Sequence, residues 1–158
     1  MSEPAGGQLW LDDLKVGDRF TSGSHAMTEA EIIAYARQFD PQPFHTDPVA
    51  AEDSFFGGLA ASGWHTASVT MRLMVEAIPL ANGVIGAGGD LSWPAPTRAG
   101  DVLHVEATIE AIVPSRSRPG RAAVAVHCRT LNQHGEMRQE FRPRLIAWAR
   151  GSEVRPVS

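Results

Sequence analysis

Between Val102 and Ala111 the side chains fall into two alternating sets, with Leu103, Val105, Ala107, Ile109 and Ala111 in one and Val102, His104, Glu106, Thr108 and Glu110 in the other. A period of two fixes an extended strand with one dry face and one wet face. Such a strand belongs to an antiparallel sheet packed on one side only. Residues 122–131 and 137–149 read as two more strands, joined by the hairpin loop Asn132-Gln133-His134-Gly135-Glu136. Leu91 to Trp93 and Arg19 to Ser22 are shorter strand candidates.

Ahead of the strands the period is helical. Val69, Leu73, Ala77 and Ile78, with Met74 beside them, predict an apolar helix from Gly63 to about Ile78, stopped by Pro79. Thr28-Glu29-Ala30-Glu31 reads as a capping box, and Ile32, Ile33, Ala36 and Phe39 follow at helical spacing up to the Asp40-Pro41 break. A short helix is expected from Pro48 to about Asp53. The order predicts an α+β fold, an antiparallel sheet with one apolar helix to cover a face.

The 158 residues, 43% hydrophobic and 20% charged, suit one globular domain, expected over 8–150 with loose tails at 1–7 and 151–158. A net charge of −4 argues against a nucleic-acid partner. Cys128 stands alone, which excludes an intrachain disulfide and points to a reducing compartment. The start "MSEPAGGQLW" lacks a basic region followed by an apolar run, so the expected location is cytoplasmic. Ser54 to Met71 carries no Asp, Glu, Lys or Arg, yet its glycines, hydroxyls and His65 make it too polar for a membrane span.

The chemistry-bearing stretch is "FDPQPFHTDP", residues 39–48. Pro41 and Pro43 remove backbone donors and push Asp40 and Gln42 toward extended geometry. Asp40 and His45 can meet only if this stiff segment curls, and two prolines could preset the curl. The same residues also serve a plainer purpose, since Asp47-Pro48 is an N-cap followed by a proline at the first helical position. Arg116, Arg118 and Arg121 form a basic turn that suits either phosphate or solvent. His25, His65, His104, His127 and His134 show no HExxH or Cys/His spacing, so no metal is expected.

Four ordered segments, "TEAEIIAYARQFDPQPFHTDP", "FFGGLAASGWHTASV", "PTRAGDVLHVEATI" and "PSRSRPGR", resemble the MaoC-like dehydratases and (R)-specific enoyl-CoA hydratases, and the resemblance covers nearly the whole chain. It implies a hot-dog fold, in which an antiparallel sheet wraps a long central helix. By the same resemblance Asp40 and His45 match a dyad that activates water for addition to C3 of a 2-enoyl thioester. Gly63 matches an oxyanion-hole glycine, acting through its backbone N–H. The resemblance implies a substrate-binding role for Gln42, Phe44, Ser62 and Ser68, while Arg116, Arg118 and Arg121 could meet coenzyme A phosphates but are read first as a solvated turn. The family's common loop has Asn where Gln42 stands, and often His-Gly where this chain has Ser62-Gly63. No separate cofactor is implied, coenzyme A being part of the substrate. A homodimer or dimer of dimers is implied as well. Two other readings remain open from the sequence, a hot-dog thioesterase and a non-catalytic acyl-thioester-binding subunit.

Overall fold

The computed structural model of the chain describes residues 7–157, so residues 1–6 and 158 of the expected tails lie outside it. Five strands form one antiparallel sheet: β1 (Arg19–Ala26), β2 (Ile85–Ser92), β3 (Val102–Pro114), β4 (Arg121–Leu131) and β5 (Met137–Trp148), in the order β1-β3-β4-β5-β2. The alternation in β3 is the reason for its inner face. Leu103, Val105, Ala107 and Ile109 are 2% exposed or less and meet Val124, Val126 and Cys128 of β4 in the core. Each of the Leu, Val and Ile side chains among them contributes about 1.5–3 kcal/mol on burial. At Glu110 the β3–β4 register slips, and β3 continues beyond the expected end as far as Pro114.

The helices are α1 (Glu29–Phe39), α2 (Pro43–Thr46), α3 (Pro48–Glu52) and α4 (Gly63–Ala77). Helix α4 lies chiefly over β1 and β3 and buries Val69, Leu73 and Met74 against them. A polar seam runs beneath it: Thr66 donates to Thr97 at 2.9 Å, and the Thr70 and Thr130 hydroxyls lie 2.6 Å apart. Trp64, Met71 and Val75, on the other side of α4, stay exposed. Thr28 caps α1 by accepting from the Glu31 N–H at 3.2 Å. The Glu31 side chain does not complete the expected box; its Oε1 accepts from His25 and His65 at 2.6 and 3.1 Å.

Two elements differ from the sequence reading in extent. Strand β2 begins at Ile85 rather than Leu91, because the glycine-rich run before Leu91 pairs with β5 through an irregularity between Gly86 and Gly89. A Cβ at Gly89 would lie 2.7 Å from the Arg142 carbonyl oxygen, so the close approach of the two backbones needs glycine there. Strand β1 extends to Ala26 around a slip between Thr21 and Ser24, where the Ser22 hydroxyl accepts from the Val105 N–H. Among the described residues no helix is long and apolar enough to cross a membrane.

Candidate active site

Helix α1 ends at Asp40, whose N–H closes the last turn on the Ala36 carbonyl. Pro41 prevents the helix from continuing. The Gln42 N–H then donates to the Asp40 carbonyl at 2.8 Å, and Pro43 starts the single turn α2, with the His45 N–H bonded to the Gln42 carbonyl. This is the curl that the two prolines preset. It brings His45 Nε2 to 3.3 Å from Asp40 Oδ2. His45 is 5% exposed, held between Phe44, edge-on at 4.6 Å, and Phe56 at 5.8 Å. Asp47 caps α3 at the same time, accepting from the Val49 and Ala50 N–H groups, so both readings of the segment hold.

The protonation of the pair follows from its neighbours. His45 Nδ1 lies 2.6 Å from the Ala60 carbonyl oxygen, which can only accept, so Nδ1 carries a proton and Nε2 is the ring atom turned toward Asp40. Asp40 takes a hydrogen bond on each oxygen, from Gln42 Nε2 on Oδ1 and from Ser62 Oγ on Oδ2 at 2.7 Å. Burial pushes the Asp40 carboxyl up, but these two donors and the nearby His45 outweigh it and hold the group below the ordinary carboxylate range. Asp40 is therefore ionised at neutral pH. The Asp40 carboxylate and His45 Nε2 thus face one point, where a single water could bond to both.

Asp40 and His45 open into a cavity of about 650 Å³, walled by Phe56, Gly63, Trp93 and Arg98 among others. Gly63 is the first residue of α4, so its N–H has no partner within the helix and stands at the positive end of the dipole. A Cβ there would come within 2.7 Å of the Trp93 ring, which donates Nε1–H to Gln139 Oε1 at 2.9 Å. Gln42, Phe44, Ser62 and Gly63 are thus gathered around the dyad. Ser68 is not in this wall; it is exposed on α4, bonded to the Trp64 carbonyl and 3.3 Å from the Tyr35 hydroxyl. Trp93, Thr97, Arg98 and the Ala60 carbonyl were not singled out from the sequence. A backbone carbonyl carries no sequence signal, and the charge of Arg98 alone does not say what it meets.

Behind α4, His65 is 4% exposed and stacks on Tyr35 at 4.5 Å. Burial pulls its pKa down, and the Glu31 carboxylate offsets this in part. Arg118 and Arg121 lie elsewhere, in a second cavity of about 530 Å³ with Trp148 and Arg155, at the end of β4 opposite the dyad. Arg116 stands in the turn before it.

The comparisons bear on the whole domain. Residues 15–128 match the family model described as MaoC like domain. A crystal structure of a MaoC-like dehydratase from Rhodospirillum rubrum superposes with a TM-score of 0.88 at 56% identity, covering 94% of this chain and 99% of that one. A 3-hydroxybutyryl-CoA dehydratase of Methylorubrum extorquens is 28% identical over 115 residues, 70% of this chain and 69% of that protein. An uncharacterized protein of Bacillus subtilis, YdeM, is 33% identical over 66 residues, which is 42% of this chain and 47% of that protein's length.

Proposed function

The chain belongs to the MaoC-like family and has its hot-dog fold, and from that premise we propose that it is an acyl-CoA hydro-lyase, reversibly hydrating a 2-enoyl-CoA to a 3-hydroxyacyl-CoA. The observation that carries this reading is the Asp40–His45 pair: a carboxylate and His45 Nε2, 3.3 Å apart, at the wall of a cavity that also reaches a helix N-terminus. The Methylorubrum relative, a 3-hydroxybutyryl-CoA dehydratase, supports the same reaction class.

In this mechanism one water donates to Asp40 Oδ2 and to His45 Nε2. Its oxygen forms a bond to C3 while the dyad takes one proton, and the π electrons of the double bond move through C2 onto the thioester oxygen as an enolate. The Gly63 N–H accommodates that negative charge. A donor in such a position is worth about 3 kcal/mol in the transition state. The proton held by the dyad then passes to C2, restoring the thioester carbonyl. The net addition is H and OH from a single water, and dehydration runs the same steps backward. Phe44 and Phe56 keep His45 dry and fixed, and Gln42 and Ser62 orient the carboxylate.

The test is a spectrophotometric assay of 2-enoyl-CoA hydration over several acyl lengths, with free thiol followed in parallel. Loss of the enoyl absorbance without thiol release is the expected result. Thiol release from saturated acyl-CoA, with no hydration of any enoyl-CoA, would assign a thioesterase instead.

A further inference from the structure

The hydrogen bond that sets His45 Nδ1 comes from a segment with no regular structure of its own. Residues 53–62 belong to no helix or strand, and the run contains Gly57 and Gly58 at φ +62° and +153°. Phe55 within it is 97% exposed. Such a stretch has little intrinsic reason to hold one conformation. Two backbone bonds pin its far end: the Ala60 N–H donates to the Phe44 carbonyl at 3.1 Å and the Ala61 N–H to the Thr97 carbonyl at 2.9 Å. At the near end Ser54 makes a local turn, its hydroxyl donating to the Ala51 carbonyl at 2.6 Å and accepting from the Phe56 N–H at 3.2 Å, with the Gly57 N–H on the Ser54 carbonyl at 3.0 Å. The carbonyls of Phe56, Gly58 and Leu59, however, are tied to the rest of the molecule by one side chain. Arg98 Nη1 donates to the Gly58 and Leu59 carbonyls at 2.9 and 3.1 Å, and Nη2 donates to the Phe56 carbonyl.

This guanidinium is spent on carbonyls. Among the described residues no carboxylate pairs with the Arg98 side chain, whereas its backbone N–H donates to Asp101 Oδ2 at 2.9 Å. Asp101 is 6% exposed and is itself fixed by Arg138 at 2.9 Å and Asn132 at 3.0 Å. The planar fork of arginine can reach three carbonyls from one rigid base, which a lysine ammonium cannot do with the same geometry. Directly after the three clamped carbonyls comes the Ala60 carbonyl, on His45 Nδ1, and the clamped Phe56 packs on the His45 ring.

We propose that Arg98 is a positioning residue for His45: by holding the Phe56–Leu59 backbone it places the Ala60 carbonyl on Nδ1 and so keeps Nε2 free to accept a proton from water. The activity consequence rests on the hydratase reading of the pocket, but the tautomer consequence does not. When the clamp is lost, the run moves off His45, Nδ1 loses its acceptor, and the ring can turn its proton to Nε2, where the Asp40 carboxylate accepts it. The atom that should take the water's proton is then occupied.

The experiment compares the parent protein with Arg98→Ala and Arg98→Lys. The ¹⁵N spectra of histidine-labelled protein at pH 8 report the tautomer of His45, assigned by its loss in His45→Ala. The parent should show Nδ1–H, and both variants should shift toward Nε2–H. In the hydration assay both variants should lose about 10²-fold in kcat, the scale of losing a general base. Guanidinium ion in the tens of millimolar should restore activity and tautomer in Arg98→Ala, where equal sodium chloride does not. A folded Arg98→Ala that retains the parent's tautomer overturns the proposal. So does failure of both variants to fold even with guanidinium present, because Arg98 would then be only an anchor of the fold. A parent protein that hydrates no enoyl-CoA but loses its His45 tautomer on Arg98→Ala would remove the hydratase reading and leave the positioning role standing.

Discussion

Ser62 and Gln42 donate to different oxygens of Asp40, and this division sets the acid side of the site's behaviour. A carboxylate whose folded pKa lies below its unfolded value, about 3.9, adds stability that is fully present above that value and is lost as pH falls through the folded pKa. Ser62→Ala removes one of the two donors that lower the Asp40 pKa, so the acid limb of the hydration rate should move to higher pH. A limb unchanged in the variant would show that the Ser62 hydroxyl does not act on Asp40. That Asp40 and His45 could approach was legible because Pro41 and Pro43 lie between them and restrict how the segment turns, whereas the role proposed for the pair came from the resemblance. The Ala60 carbonyl could not, since every residue but its geometry supplies the same oxygen. Arg98 lay in a matched segment, "PTRAGD", yet its role depends on three carbonyls about forty residues upstream.

At the level of elements, α1 was legible because cap, apolar spacing and a terminating proline agree, and α4 from apolar spacing and Pro79 alone, since Ser62 before it makes no cap bond and donates to Asp40 instead. The Thr28 cap is open to test. Thr28→Ala should cost about 1 kcal/mol through the lost bond to the Glu31 N–H, seen as a lower denaturant midpoint at unchanged slope. The loss should stay at that level, because Glu31 is already committed to His25 and His65 and no return bond to the cap disappears. A loss several times larger would mean that Thr28 supports the histidine pair as well. Strand β2 was legible only at its end, Leu91 and Ser92, the expected Trp93 falling just beyond it. Its glycines carry no alternation, and what makes the run a strand is pairing with β5, a long-range cause that local pattern does not show. Helix α2 was read as a stiff loop because a single turn is too short for any periodicity.

For the whole molecule, the sheet order leaves β1 and β2 as edges. The slip in β1 bends that edge, which disfavours pairing, whereas β2 is exposed along nearly its whole length. Trp64, Met71 and Val75 of α4, with Ile85 and Trp93, add uncovered apolar surface. A homodimer or dimer of dimers with β2 edges paired about a two-fold axis is the expected assembly. Antiparallel pairing of β2 would bring the arginine end of each copy toward the dyad end of the other, the arrangement in which Arg118 and Arg121 could meet the phosphates of a bound coenzyme A. Sedimentation velocity at micromolar concentration should show a dimer or larger, and a monomer would contradict this. Whether Asp40 and His45 act on one water is decided by a double-mutant cycle on enoyl-CoA hydration with folding monitored in every variant. Asp40→Asn and His45→Ala should each lower kcat by at least about 10²-fold, and the double variant should lose far less than the product of the two. Hydration by folded Asp40→Asn close to that of the parent would show that Asp40 does not take the proton from water.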